Sequence, residues 1–177
     1  LMFFTSDNGA AKRFDGIHNS SGVMQGKKRS LNEGGIRVPM VVRWPGKIKA
    51  GRVSSHPWYF PDVMPTFAEI GGVSTEVPED IDGISILPTL LDEGEQKLHE
   101  YMFWHYGVRA VRSGKWKGIG KGGHLYLYDL SKDIEEKNDL SSKHPEIAAR
   151  MKKYITIGYR EPRSQKDDGK YTGKDKK

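Results

Sequence analysis

The stretch between residues 101 and 130 constrains the fold most, because short aromatic-rich segments follow one another there at close spacing. These segments are residues 101–106, 110–112, 115–117 and 125–128. Glycine or a Ser-Gly pair separates them, and short β-branched or aromatic runs punctuated in this way are typical of hairpins. The stretch therefore predicts an antiparallel meander of short strands.

A helix is predicted after the meander. Ile147, Met151 and Ile155 form a one-sided apolar stripe at helical spacing. Pro145 suits the first helical position, where its missing N–H costs nothing, and His144 is then positioned to cap the helix. The apolar stripe predicts that this helix lies on the meander.

The earlier part of the chain has a different pattern, which indicates an α/β arrangement. Residues 1–5 form a continuous apolar run that predicts a fully buried strand, and residues 38–44 predict a second, short apolar strand. Residues 62–70 predict a helix capped by Asp62. We therefore expect three parts: an α/β part over residues 1–95, a sheet-and-helix subdomain over residues 96–160, and a basic tail over residues 161–177.

A polar turn, Ser6-Asp7-Asn8-Gly9, follows the first strand directly. Ligands in α/β proteins bind beyond the carboxyl ends of strands, so Asp7 and Asn8 hold a favourable position. A carboxylate beside an amide carbonyl offers two hard oxygen ligands, which suit Ca²⁺ or Mg²⁺. A plain turn is the alternative, because these four residues are all common in turns.

The segment of residues 26–39 is the most distinctive in the chain. Three consecutive basic residues, Lys27, Lys28 and Arg29, lie in a loop that leads through Gly34-Gly35 towards the second strand. A lysine in such a loop presents a compact positive charge to an anion. An exposed basic loop without a ligand is the alternative. Together with Asp7 and Asn8, the loop could converge on an anionic group beside a cation.

Composition excludes some functions and weakens others. The chain contains no cysteine, which excludes disulfides, thiolate metal sites and a cysteine nucleophile within it. The net charge of +6 invites a nucleic-acid hypothesis. However, residues 163–177 hold six Lys or Arg against three Asp, which supplies +3 of this charge. A solvated tail explains that run better, so we expect no nucleic acid as partner. We also expect no membrane partner, because no apolar run approaches the roughly 20 residues that a membrane helix needs.

Several collinear motifs resemble the type I sulfatases of the alkaline-phosphatase-like superfamily. Ser6-Asp7-Asn8-Gly9 is followed by Gly-x-Lys-x-x-x-x-Glu-Gly-Gly-x-Arg-x-Pro in residues 26–39. Further similar motifs lie at residues 62–66, 82–85, 110–117 and 127–130. The resemblance implies an α/β fold that forms the C-terminal part of a sulfatase, with a small antiparallel sheet and a helix as its last subdomain.

The resemblance also implies roles for individual residues. Asp7 and Asn8 match the pair that binds the active-site Ca²⁺, with Mg²⁺ possible, and Lys28 matches a lysine that binds sulfate. Glu33 and Arg37 match residues that shape the loop, and we expect them to pair. The formylglycine nucleophile has no matching site here, so we expect it upstream, in a missing N-terminal part of the protein. The family implies a periplasmic or secreted location.

Substrate contacts are less well indicated. His18, in the loop before Lys28, and His105, in the first strand of the meander, are candidates for contacting a sugar. Each could equally be an ordinary polar residue. The glycines of residues 118–123 match G-x-G-x-x-G, but they join two aromatic strands, which predicts a hairpin loop and not a dinucleotide site.

The leading functional hypothesis is a part of a sulfatase that hydrolyses sulfate esters, with sulfated carbohydrate favoured as substrate. This chain alone is expected to be inactive, because it lacks the nucleophile. Two alternatives remain open. One is a phosphodiesterase or phosphonate hydrolase of the same superfamily, since phosphate and sulfate present similar tetrahedral oxyanions. The other is a non-catalytic module that binds anionic glycans.

Overall fold

The computed structural model describes residues 1–14, 17–78 and 80–160. These form two compact units: one made of Leu1–Thr5 and Met40–His99, the other of Ser6–Pro39 and the residues from Glu100 onward. The segment of residues 6–39 thus packs with the second unit. The predicted boundary at residue 95 stays a prediction, and the predicted tail over residues 161–177 lies outside the described residues.

Short strands and helices occur where the sequence predicts them, and the structure adds two short helices that were not predicted, at Glu33–Ile36 and Leu87–Leu91. The elements are β1 (Met2–Thr5), α1 (Glu33–Ile36), β2 (Met40–Arg43), α2 (Val63–Ile70), α3 (Leu87–Leu91), β3 (Met102–Tyr106), β4 (Val108–Ser113), β5 (Trp116–Lys121), β6 (His124–Asp129) and α4 (Pro145–Ile157). Short 3₁₀ turns cover Lys12–Phe14, Phe60–Asp62 and Ser74–Glu76. None of the described helices has the length and apolar character that crossing a bilayer requires.

In the first unit, β1 and β2 form a two-stranded antiparallel sheet with Phe3 opposite Val42. Phe3 packs edge-on against Phe67 of α2, with 5.3 Å between ring centroids. The strand predicted over residues 1–5 is confirmed, but the prediction that it is fully buried is wrong, since Phe4 is 70% exposed. Val41 of the paired strand is 62% exposed. Side chains alternate between the two faces of a strand, and no described residue covers the second face here.

The sequence predicts that Asp62 caps α2, but its side chain makes no capping hydrogen bond. Its buried carboxylate instead accepts hydrogen bonds from the backbone N–H groups of Tyr59 and Ile84 and lies 2.8 Å from Nε2 of His99. The missing cap follows from the 3₁₀ turn that precedes α2, because Asp62 is already the third residue of that turn. Asp62 therefore ties the start of α2 to the turn before α3.

In the second unit, β3, β4, β5 and β6 form an antiparallel meander in sequence order. The predicted strands are confirmed, but the expectation of one hairpin loop over residues 118–123 is wrong. Gly118 and Gly120 lie inside β5, and only Gly122 and Gly123, both at positive φ, form the turn to β6. A two-residue turn at positive φ matches the twist of paired strands.

Helix α4 covers one face of the meander. Met151 is fully buried there against Val111, Leu127 and other core residues. A Cβ on Gly118 would lie 2.9 Å from Cβ of Met151, so this glycine permits the close approach of helix and strand. His144 precedes α4 as predicted but makes no side-chain cap, and its ring packs 5.0 Å from Trp116.

The opposite face of the meander is covered by the segment that carries the basic residues. Leu31 is 6% exposed and packs with Ala110 of β4, Ile119 of β5 and Tyr128 of β6. Residues 25–34, called the lysine loop below, therefore rest on the sheet. The sheet is buried on both faces by residues of its own unit, which gives the loop a rigid base.

Candidate functional site

Two backbone hydrogen bonds join the turn after β1 to the segment of residues 28–35. The N–H of Gly9 donates to the carbonyl of Gly35, and the N–H of Lys28 donates to the carbonyl of Ala10, each at 2.9 Å. The segments that carry Asp7-Asn8 and Lys28 therefore lie side by side. Residues distant in sequence meet here through their main chains, not only through flexible side chains.

The contact between these segments is tight enough to require glycine. A Cβ on Gly9 would lie only 2.0 Å from the carbonyl oxygen of Gly34, which no side chain can occupy. The lysine loop is closed on itself by a 2.7 Å hydrogen bond from the N–H of Gly34 to the carbonyl of Gln25. Gly34 and Gly35 are required within the loop itself, since a Cβ on them would lie 2.4 Å from the carbonyl oxygen of Gly26 and 2.1 Å from that of Ser30, respectively.

The polar side chains of these segments face outward to different degrees. Asp7 and Lys28 are exposed, whereas Asn8 is half-buried. The main-chain carbonyl of Asn8 accepts a 2.9 Å hydrogen bond from the Ser6 hydroxyl. Arg29, directly after Lys28, has a φ of 77°. Non-glycine residues rarely adopt this conformation, and where they do the surrounding structure holds them in place. The main chain at Lys28 is thus strongly constrained while its ammonium group reaches solvent.

Beneath the lysine loop lies a buried ionic cluster, Glu33–Lys117–Glu136. Nζ of Lys117 lies 2.8 Å from Oε1 of Glu33 and 3.0 Å from Oε1 of Glu136, and all three side chains are at most 3% exposed. Oε2 of Glu136 accepts a 2.6 Å hydrogen bond from the N–H of Glu33. Burying a lysine without a partner is costly, so the two carboxylates are what make this burial possible.

The buried cluster affects titratable groups next to it on the same face of the sheet. Burial lowers the pKa of Arg112 from its usual value, although the nearby Glu33 carboxylate opposes the shift. Burial, and after it the Glu136 carboxylate, raises the pKa of Tyr128 to about 12.

An open cavity of about 450 Å³ adjoins the basic segment. Four consecutive polar residues, His18, Asn19, Ser20 and Ser21, line it together with apolar residues that include Ile17 and Met24. Ala10, which accepts the hydrogen bond from Lys28, and Lys27 also line it. The cavity volume falls in the range of small-molecule sites in proteins, which is about 300–1,000 Å³.

Comparison with models of known protein families shows to which family this chain belongs. Residues 25–157 match the model of the C-terminal region of N-sulphoglucosamine sulphohydrolase. This match includes the lysine loop, the buried cluster, the meander and α4. The chain belongs to the sulfatase family.

Named relatives agree with this assignment. Human steryl-sulfatase is 37% identical over 184 aligned residues, which cover 80% of this chain and 31% of that protein. The N-acetylgalactosamine-6-O-sulfatase of Bacteroides thetaiotaomicron is 30% identical, covering 88% of this chain and 35% of that protein. The chain thus spans about a third of the length of these sulfatases.

Solved structures confirm the predicted fold as well as the family. Ps i-CgsB, solved in complex with k-i-k-neocarrahexaose, superposes with a TM-score of 0.72 at 30% identity, covering 88% of this chain and 35% of that chain. A 6S-sulfatase structure from work on glycosaminoglycan metabolism by Bacteroides thetaiotaomicron gives 0.72 at 28% identity, covering 89% of this chain and 38% of that chain. Both superpositions cover nearly nine-tenths of this chain.

Within this sulfatase chain, the structure brings some of the predicted site residues together and separates others from them. Asp7, Asn8 and Lys28 lie on hydrogen-bonded segments, and His18 lines the adjoining cavity. His105 lies elsewhere on β3, where its ring meets Tyr159 at 5.2 Å. The roles of all five residues in binding metal, sulfate or sugar stay predictions.

Sequence reasoning missed the main partners of Glu33. The expected pair with Arg37 exists, but it spans 3.7 Å and the Arg37 side chain is 54% exposed. The buried partners Lys117 and Glu136 lie 84 and 103 residues further along the chain. The one available signal was Lys117 itself, a charged residue between Trp116 and Gly118 on a strand predicted to be covered.

Proposed function

We propose that the protein containing this chain hydrolyses sulfate esters, and that Lys28 contributes to binding the sulfate group. The pair of backbone hydrogen bonds from Gly9 to Gly35 and from Lys28 to Ala10 carries this proposal, because it sets the basic segment beside the turn that holds Asp7 and Asn8. Membership of the sulfatase family supplies the reaction class. A charge held in place before reaction stabilises developing negative charge more effectively than one that must reorganise.

Asp7 and Asn8 fit a divalent cation as two of its ligands. Their carboxylate and amide oxygens are hard donors of the kind that Ca²⁺, and also Mg²⁺, prefers. Among the described residues no group of three or more His, Cys, Asp or Glu side chains could hold a metal. We therefore propose that the remaining ligands, and the formylglycine nucleophile, come from other parts of the protein. The cation would neutralise sulfate oxygens as charge builds on them.

Lys28 would act as a donor to the non-bridging oxygens of the sulfate group. Its ammonium is a compact charge with three donors on a flexible stem, which suits a tetrahedral oxyanion. Its main chain is fixed by the hydrogen bond to Ala10, so only the side-chain torsions must be ordered when sulfate binds.

We propose a sulfated carbohydrate as the substrate. Hydroxyl, amide and imidazole groups of Ser20, Ser21, Asn19 and His18 line the cavity next to the basic segment, and such groups match the hydroxyls of a sugar. A similar structure, that of BT4656, 26% identical with a TM-score of 0.60, was solved with its substrate D-glucosamine-2-N,6-O-disulfate. Of the two histidines that we propose as sugar contacts, His18 lines this cavity. We also propose that the protein is located in the periplasm or outside the cell, which would fit such a substrate.

The test uses the whole protein with para-nitrophenyl sulfate, the phosphate diester bis(para-nitrophenyl) phosphate and a sulfated amino sugar. We expect hydrolysis of the sulfate esters, and we expect Lys28→Ala to lower kcat on the order of 100- to 1000-fold, as removal of an oxyanion-stabilising donor does. Lys132→Ala, at an exposed turn of the same unit, is the matched control and should keep full activity. Hydrolysis of the phosphate ester alone would favour a phosphodiesterase. If Lys28→Ala leaves turnover unchanged, the proposal that Lys28 binds the sulfate group is wrong.

A further inference from the structure

The buried cluster Glu33–Lys117–Glu136 lies under the lysine loop and touches both of its ends. We propose that Lys117 and Glu136 are positioning residues, which act through Glu33 to set where the loop presents Lys28 relative to Asp7 and Asn8. The inference rests on the proposed function, since it concerns the placement of the sulfate-binding lysine. Neither residue reaches the site itself, and each acts through the loop.

The downstream end of the lysine loop is held twice. Glu33 begins α1 five positions after Lys28, and its N–H donates to Oε2 of Glu136 at 2.6 Å. The Glu33 side chain meanwhile accepts a 2.8 Å hydrogen bond from Nζ of Lys117. Holding both the main chain and the side chain of one residue leaves it no freedom to rotate. The start of α1 is therefore fixed on the meander.

The upstream end of the loop is bound to the same residue. Nε2 of Gln25 donates to the main-chain carbonyl of Glu136 at 3.3 Å, and the N–H of Gly34 closes the loop onto Gln25 at 2.7 Å. Glu136 thus contacts the loop at both ends, with its carbonyl at one and its carboxylate at the other. Lys28 lies between these two attachment points, and its own N–H binds Ala10.

Glu136 is itself held in an unusual conformation. Its φ is 53°, in the left-handed region that side chains other than glycine rarely adopt. The Asp133 carbonyl accepts the N–H of Glu136, and the Asp133 carboxylate accepts the N–H groups of Lys137 and Asn138. This turn aims the Glu136 carboxylate inward at Lys117. A residue held against its backbone preference points to a geometric requirement at that position.

An ionic cluster at this place is not explained by stability. Well-packed apolar residues of similar volume often stabilise a core as well as a buried ion pair does, or better. Charged groups differ from apolar ones in that their hydrogen bonds fix direction and distance. One buried cation between two carboxylates specifies a single placement of Glu33, whereas apolar packing would tolerate small shifts. Such shifts matter near a reacting group, because a displacement of about 1 Å can cost on the order of 100-fold in rate.

The test compares Lys117→Met and Glu136→Gln in the whole protein with Met151→Ala as a control. Met151 is fully buried in the core between α4 and the other face of the sheet, so its truncation lowers stability without touching the loop. Kinetics are measured well below each variant's Tm, together with inhibition by inorganic sulfate. Amide hydrogen exchange is followed in residues 25–34 and in α4.

We expect Lys117→Met to lower kcat on the order of 100-fold and to weaken sulfate inhibition at least about 10-fold. Glu136→Gln should show a smaller loss of the same kind, which keeps the test available if Lys117→Met fails to fold. Exchange should rise in residues 25–34 for these variants and in α4 for Met151→Ala, which should keep its kcat. Folded variants with normal kcat, normal sulfate inhibition and unchanged loop exchange would overturn the inference.

The two proposals fail in different ways. If the wild-type protein hydrolyses no sulfate ester, the proposed function fails, and the role of Lys117 in catalysis fails with it. A second outcome is that the wild-type protein is an active sulfatase in which Lys117→Met lowers the Tm as much as Met151→Ala does and leaves kcat and sulfate inhibition unchanged. In that case only the positioning role is wrong. Lys132→Met, at an exposed position, controls for the loss of a lysine as such.

Discussion

The two sheets of this chain are built from similar short apolar strands, yet their surroundings differ. In the meander, Leu127 is fully buried on the face that α4 covers, and Ala110 is fully buried on the face that the lysine loop covers. In the β1–β2 pair, Phe4 and Val41 are more than half exposed. Strand-forming residues thus specify strands in both places. Whether a strand is buried depends on the layers that pack against it.

The largest expected effect that tests this difference comes from truncating a core side chain of the meander. Leu127→Ala should destabilise the second unit by about 2–5 kcal/mol, because it leaves a cavity between the sheet and α4. Leu98→Ala, the same substitution at a side chain of the first unit that is 71% exposed, should change stability by less than about 0.5 kcal/mol. Urea unfolding followed by circular dichroism measures both. Equal losses would break the comparison.

A smaller effect is expected from adding one methyl group to the centre of the meander. Gly118→Ala should cost about 1–3 kcal/mol, since the new Cβ would lie 2.9 Å from Cβ of Met151. Gly120→Ala is the matched control in the same strand, where the nearest atom, Cδ1 of Ile155, is 3.4 Å away. The control should be close to neutral. The difference in urea midpoint between the two variants checks how tightly α4 packs on β5.

The smallest expected effect is a pH dependence of the second unit. A hydrogen bond from the Ser131 hydroxyl, and after it Lys115, holds the pKa of Asp129 at about 2 against the opposing effect of burial. Because the folded pKa lies below the unfolded value of 3.8, the stabilisation is complete above that value. It is lost as pH falls through about 2.

Asp129→Asn should therefore flatten the stability profile between about pH 4 and pH 2. Ser131→Ala should flatten it partly, because it removes only the first of the contributing hydrogen bonds. Thermal melts at closely spaced pH values measure the slope. A wild-type slope retained in Asp129→Asn would show that other carboxylates account for it.

Local patterns in the sequence predict where most of the strands and helices lie, but not which of them are buried. The meander and α4 follow from aromatic runs, turn glycines and one apolar stripe, which are signals contained within a few residues. The exposure of Phe4 could not be predicted from neighbouring residues, because it depends on which residues pack over β1. The same holds for Asp62, whose acceptance of the Ile84 N–H depends on a segment 22 residues away.

The candidate site was predictable as a set of motifs, and its framework was not. Asp7, Asn8 and Lys28 lie in stretches whose residue types suggest ligands, and the family resemblance assigns them roles. The contact between Glu33 and Lys117 joins residues 84 positions apart, and a single sequence carries no signal for such a pairing. Buried charges are usually rare on a covered strand, so Lys117 was the residue that most needed an explanation.

The most direct test of the account is a crystal structure of the whole protein with Ca²⁺ and sulfate bound. The account predicts one cation with oxygens of Asp7 and Asn8 about 2.3–2.6 Å away. It also predicts Nζ of Lys28 within hydrogen-bond distance of a sulfate oxygen beside that cation. A sulfate bound at the cation with the Lys28 side chain directed away into solvent, across an ordered lysine loop, would contradict it.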